Sequence, residues 1–299
     1  MQGLRNALRG FVRKRLFPLF GVRRIHIVGC ARSGTTMLHY AMLAFDGVVL
    51  STTESDVGLD PGLGQSLGLV WRAMTTRAPV HYVTKRNYGW YEPDALRATI
   101  ETLRAEHIGV LLLVRDPRDV LASRHAGAEQ SEAFYVEPSR WMKSVAAGDA
   151  LIDAVRHAVP TVTVRYEDVV ANPDYAETRI VNAFGLRKNP RLQSIDKLRD
   201  NVRALGIGVD MEQALHKLRN FDRNSVQKWR SEERSRSHVL DLLSDDSPIA
   251  VSLHDFLWRH RYLPGAWSAS ARQQWYASVE SAVTREIPTE QPAQPPTKH

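Results

Sequence analysis

Ile25-His26-Ile27-Val28-Gly29-Cys30-Ala31-Arg32-Ser33-Gly34-Thr35-Thr36-Met37-Leu38 reads as a short buried strand, a glycine-bounded loop and the first turn of a helix. Its two glycines stand at Walker A spacing, but the position after the second is Thr35 rather than lysine. The inner cation of the loop is Arg32, two residues before Gly34. Backbone N–H groups and a helix N-terminus converge in such a loop, so it is expected to bind a phosphate. The lysine that ordinarily reaches the outer phosphates of ATP is missing, which bears directly on the nucleotide used.

The 299 residues suffice for one large α/β domain with a substantial core, or for two small domains. A hydrophobic content of 43% and a charged content of 24% fit a globular chain rather than a disordered one. The single cysteine, Cys30, excludes an internal disulfide framework and any multi-cysteine metal site. A reducing, cytoplasmic setting is expected, with Cys30 serving as packing. The net charge of +7 is local: residues 1–24 hold seven basic residues and no acid, leaving 33 basic against 33 acidic residues elsewhere. A nucleic-acid-binding body is therefore not expected. Residues 1–22 form a basic amphipathic segment with Leu4, Leu8, Phe11 and Val12 at helical spacing and Pro18 ending the pattern. It suits either an anionic membrane surface, at the inner face, or packing on the domain. No run of roughly 18 apolar residues exists to span a bilayer.

Outward from the first strand, a helix is expected from Thr35 to Phe45, then a strand over Val48–Leu50 and a polar loop around Glu54. Gly58 to Gly68 reads as irregular, Leu69 to Thr76 as helix, and Val80 to Thr84 as a strand ending at Lys85. Asp94 to Ala105 reads as an N-capped helix. Gly109 to Val114 is an uninterrupted apolar strand of the kind buried on both faces of a parallel sheet. Pro138 to Val159 reads as mainly helical, Thr161 to Val164 as a further strand, and Asn172 onward as helices with loops. Strands separated by helices imply right-handed crossovers, hence an α/β fold: one domain over 23–283 with a central parallel β-sheet flanked by helices. The Pro-rich tail 284–299 is expected to be disordered.

Ligands of open parallel sheets bind beyond the carboxyl ends of the strands. Four such ends carry polar groups: Arg32 to Thr36, the loop at Glu54, Lys85-Arg86, and Arg115-Asp116-Pro117-Arg118. Gly29 to Thr36 resembles the 5′-phosphosulfate loop of the sulfotransferases that use 3′-phosphoadenosine 5′-phosphosulfate (PAPS). Val114-Arg115-Asp116-Pro117-Arg118-Asp119-Val120-Leu121-Ala122-Ser123 is similar to their 3′-phosphate motif. Val164 to Pro173 resembles a further segment of that family, and Ser225-Val226-Gln227-Lys228-Trp229-Arg230 its late loop over the nucleotide, though without the glycine-rich form of that loop. Together these span about Arg24 to Tyr262 in the family's order.

The resemblance implies a P-loop-like sulfotransferase fold, PAPS as donor and no metal. Arg32, Ser33, Gly34, Thr35 and Thr36 would hold the 5′-phosphate, with Arg32 also meeting charge on the bridging oxygen. Arg115 and Ser123 would take the 3′-phosphate, and Arg223 with Lys228 and Arg230 would close over it. A Glu follows the second strand in many carbohydrate-directed members, so Glu54 is the candidate base and a carbohydrate or glycolipid hydroxyl the candidate acceptor. Lys85 would assist as charge develops. His39, His81 and His125 compete as bases, each read as structural instead. Tyr88, Trp90 and Tyr91 are candidate rings for stacking on the acceptor. Arg118 and Asp119 are expected in a surface ion-pair cluster, Trp229 in the core, and Tyr166, Glu167 and Asp168 in structural roles.

Two rivals stay open on sequence. One is a P-loop kinase for a small molecule or sugar that holds magnesium on Asp116. The other is a non-catalytic nucleotide-binding membrane adaptor led by residues 1–22.

Overall fold

The computed structural model describes residues 2–51, 61–86, 89–124, 134–205, 220–244 and 247–263. Five strands, β1 Val22–Gly29, β2 Val48–Leu50, β3 Val80–Arg86, β4 Gly109–Val114 and β5 Thr161–Arg165, form one sheet in the order β2-β3-β1-β4-β5. Every pairing is parallel, as the alternation of strands and helices requires. β1 lies at the centre, with Val22 to Val28 beside Val80 to Arg86 and Ile25 to Gly29 beside Gly109 to Leu113. β4 is buried at all six positions, matching its continuous apolar run. β5 buries only Val162 and Val164, the alternation of an edge strand.

Helices cover both faces. On one, α3 (Thr35–Ala41), α8 (Tyr166–Ala171), α9 (Pro173–Phe184) and α10 (Leu198–Ala204) pack Leu38, Ala41, Val169, Ile180 and Leu198 on Ile25, Ile27, Leu111 and Leu113. On the other, α4 (Leu63–Thr76) packs Leu69, Val70 and Ala73 on Val22, Val80 and Tyr82. α7 (Pro138–Val155) joins that face, with Gly148 close to Leu112. Two compact units are present, Met1–Asp245 and Asp246–His299. In the second, helix Pro248–Arg259 is capped by Ser247, whose hydroxyl accepts from the Ala250 amide at 3.2 Å. Among the described residues no helix is long and apolar enough to cross a membrane.

Several elements depart from the expected bounds. α4 begins at Leu63, inside the stretch expected to be irregular. Gly64 and Gly68 face open space, and the helix gains Ser66, Leu69, Val70 and Ala73 as a buried stripe that outweighs the low propensity of glycine. α5 (Pro93–Ala105) has no side-chain cap: Glu92 holds the cap position, and Asp94 sits in the first turn, where its charge complements the helix dipole. Pro18 does not end the N-terminal helix. After α1 (Gln2–Phe11) and a π-helical turn Val12–Leu16, Pro18 opens α2 (Phe17–Phe20), where its missing N–H is harmless, and Gly21 stops the chain at φ 70°. Val12 and Phe17 are buried against α4 and β3, so this segment packs on the domain.

Gly34 precedes α3 at φ 97°, and a Cβ there would meet the Tyr166 ring at 2.8 Å. Gly34→Ala is expected to lower the unfolding free energy in urea by about 1–3 kcal/mol. Gly64→Ala, a helical position with nothing nearby, is expected to raise it by about 0.5–1 kcal/mol in the same assay.

Candidate functional site

β1 ends at Gly29, where a Cβ would lie 2.6 Å from the Leu113 carbonyl, so the close approach of β4 demands glycine. The next carbonyl, that of Cys30, accepts the Ser33 amide at 3.1 Å and the Ser33 hydroxyl at 2.6 Å, which closes the loop. Arg32 sits between them in the left-handed region, at φ 67°, with its side chain exposed at the loop crest. Gly34, Thr35 and Thr36 then place their amides at the head of α3, where a helix has no internal acceptors for them. Burial pushes the Cys30 thiol up to about 11, which leaves it unreactive.

Trp90 supports this loop from behind. Its Nε1 donates to the Gly29 carbonyl at 3.3 Å and the ring is wholly buried, so it is not the acceptor-stacking ring the sequence suggested. Tyr91 packs edge-on against it, and Tyr88 lies outside the described residues.

Two further strand ends bring cations to the loop. Lys85, near the end of β3, is buried and donates from Nζ to the Thr36 hydroxyl at 3.0 Å. Burial lowers its pKa to about 8. Arg115, just past β4, donates to the Arg32 carbonyl at 3.1 Å and to the Ser225 carbonyl at 2.6 Å. Its guanidinium lies 4.3 Å from the centre of the Tyr166 ring. The Arg32 pKa is lowered, first by partial desolvation against the neighbouring loops, although the side chain is exposed overall, and then by the positive charge of Arg115. The loops after β1 and β4 are neighbours from which the chain departs in opposite directions, the point where open parallel sheets bind ligands.

The acidic residues here are not a surface cluster. Asp116 and Arg118 are both buried and bind each other through contacts of 2.7 to 3.1 Å, while Asp116 also caps α6 (Pro117–Leu121). The Asp116 amide donates to Glu167 at 2.9 Å. Asp119 faces the late loop: its carboxylate accepts the Gln227 amide at 2.8 Å and the Trp229 amide at 3.0 Å. Burial raises its pKa, while Arg115 at 3.9 Å and the two amides act against that rise. The Tyr166 hydroxyl shares a 2.6 Å hydrogen bond with Ser225. Trp229 is buried, as expected, beneath the guanidinium of Arg118.

Of the remaining candidates, Ser123 follows α6, its hydroxyl turned back to donate to the Val120 carbonyl at 2.8 Å. Arg223 lies exposed on a 3-10 turn, Arg223–Ser225, and Lys228 and Arg230 are likewise exposed. His39 is bonded to the Val83 carbonyl at 3.0 Å, and burial lowers its pKa to about 4. His81 stands near the amino end of β3, opposite Arg23, at the far end of the strands from the loop. That far end also holds a cavity of about 620 Å³, lined by Arg23, His81, Gly109 and Phe184 among others. Glu54 and His125 lie outside the described residues.

No protein-family model and no curated protein matches the chain. Among solved structures it is similar to mouse sulfotransferase SULT7A1 complexed with PAP, at 12% identity and a TM-score of 0.44, over 84% of this chain and 94% of that one. It is also similar to retinol dehydratase in a complex with retinol and PAP, at 15% identity and a TM-score of 0.37, over 75% of this chain and 82% of that one.

The lowered pKa of Lys85 has a thermodynamic signature. Between about pH 8 and the ordinary lysine value the unfolded chain binds more protons than the folded one, so stability rises with pH across that window. Urea unfolding on either side of pH 8 should show this rise in the wild type, and the rise should be smaller in Lys85→Met.

Proposed function

We propose that the chain is a PAPS-dependent sulfotransferase, moving a sulfuryl group from PAPS to a hydroxyl and releasing 3′,5′-ADP. The observation that carries this is the convergence of Arg32, Lys85 and Arg115, from three strand ends, on a phosphate loop whose neighbouring carboxylate Asp116 is closed off by Arg118. The geometry therefore supplies cations for a multiply anionic nucleotide, while Asp116 is committed to a guanidinium. A kinase reading requires that carboxylate to hold magnesium, so the arrangement disfavours it.

In this reading the Gly34, Thr35 and Thr36 amides bind the 5′-phosphate, and Ser33 keeps the loop closed. Arg115 and Ser123 take the 3′-phosphate, Ser123 by turning its hydroxyl from the Val120 carbonyl and Arg115 by exchanging a carbonyl for a phosphate oxygen, with Arg223 on the rim. The acceptor oxygen attacks sulfur as the bond between sulfur and the bridging 5′-phosphate oxygen breaks. Arg32 and Lys85 stabilise the charge that builds on that oxygen. Glu54 takes the proton of the acceptor hydroxyl. The acceptor we assign is a carbohydrate or glycolipid, on the carboxylate base after the second strand, and the setting is cytoplasmic.

Calorimetry with 3′,5′-ADP, 5′-ADP and ATP tests the donor. Binding of 3′,5′-ADP at least about tenfold tighter than 5′-ADP is expected, since a charge-assisted hydrogen bond contributes about 1.5–3 kcal/mol. Arg115→Ala should remove most of that preference. Equal affinity for the two diphosphates would overturn the assignment. Glu54→Gln should abolish turnover with nucleotide affinity retained, and Lys85→Met should lower turnover by about 10²-fold.

A further inference from the structure

α1 and α4 pack against each other, and each leaves an apolar stripe in solvent. On α1 the stripe is Leu4, Leu8 and Phe11, and on α4 it is Leu67, Trp71 and Met74, both with the i, i+4, i+7 spacing of one helix face. Trp71 is 67% exposed and Leu4 78% exposed. These residues lie outside the buried core: α4 is held to the sheet by a different stripe, Leu69, Val70 and Ala73, and the N-terminal segment by Val12 and Phe17. Two adjacent helices thus carry large side chains that the domain leaves about half or more in solvent.

Charge says what kind of surface covers them. Residues 2–20 and 63–77 contain seven Lys and Arg and no Asp or Glu. Arg13 is paired with Glu106 at 3.3 Å, but Arg5, Lys14, Arg15, Arg72 and Arg77 form no ion pair among the described residues. Five uncompensated cations beside exposed Leu, Phe, Trp and Met are the composition of a helix surface that lies at an anionic lipid interface. A second copy of the chain would set these cations against their equals, which opposes a symmetric dimer through this face.

We propose that the α1–α4 surface docks on anionic lipid bilayers, inserting the two apolar stripes between headgroups while the flanking cations meet lipid phosphates and carboxylates. The membrane contact is thereby a property of two helices, of which only one lies in the basic N-terminal segment. It stands apart from nucleotide chemistry, so its failure would leave the proposed sulfuryl transfer untouched.

The test is co-sedimentation of the full chain with vesicles of phosphatidylcholine alone and of phosphatidylcholine mixed with phosphatidylserine, without nucleotide. Binding to the mixed vesicles, weakening with salt, and little binding to the neutral ones are expected. Trp71→Ser combined with Leu8→Ser should weaken binding at least about tenfold, while thermal unfolding stays cooperative, because neither side chain belongs to the buried core. Arg72→Gln with Arg77→Gln should weaken it and flatten the salt dependence. Absence of vesicle binding, equal binding to neutral vesicles, or wild-type binding by the Trp71/Leu8 variant would each refute the proposal. So would sedimentation velocity showing a dimer that the same variant dissociates.

Discussion

The guanidinium of Arg115 is the joint on which the site depends. One edge holds the carbonyl of Arg32 in the loop after β1, another holds the carbonyl of Ser225 in the late loop, and its face lies on Tyr166. Three chain segments far apart in sequence meet at this one group. Arginine suits the position because a planar cation can stack and donate at its edges simultaneously, which an ammonium group cannot. Asp119, one helical turn on, completes the joint by receiving two amides of the late loop while lying 3.9 Å from Arg115. The order of the loop after β1 and the position of the late loop are consequences of the same few bonds.

That joint also sets the electrostatics. The rim of the sheet carries two kinds of arginine. Arg118 is buried in a closed pair with Asp116, neutral as a unit and held by its own geometry. Arg32 and Arg115 face each other's charge, and partial desolvation and that repulsion together lower the Arg32 pKa. Lys85 is likewise held against burial. Cations kept in this way gain more from an arriving anion than solvated ones do, because the cost of bringing them together has been met by folding. The closed pair gains nothing from an anion, and so the two neighbouring arginines, near in sequence, have different parts.

Much of this was legible in the sequence for local reasons. Gly109 to Val114 reads as a doubly covered strand because nothing polar interrupts it, and the strand-loop-helix order around Gly29 and Gly34 follows from an apolar run that ends in two glycines at Walker A spacing. What escaped depends on distance. The partners of Asp119 lie 108 and 110 residues away along the chain, and no local pattern announces them. An Asp-Pro-Arg-Asp run resembles a solvated loop until helix packing and Trp229 enclose it. The early start of α4 was hidden by glycines that the helix carries on its open side. The parts of the expected site that rest on Glu54 fall outside the described residues.

The displaced cation follows from packing. Thr35 occupies the position where a Walker loop has lysine, but its side chain is buried, with its methyl 2.8 Å from where a Gly29 Cβ would be. A longer side chain there would have to leave the space between loop and strand. A lysine can instead come from a neighbouring strand, and β3, which pairs with β1, sets Lys85 level with Ile27. From there Nζ reaches the Thr36 hydroxyl, the next residue of the loop. A lysine anchored on a strand is held more rigidly than one on a loop and arrives from the side of the sheet. A nucleotide bound at this loop, as proposed above, would therefore meet its lysine from a different direction than it meets a Walker lysine.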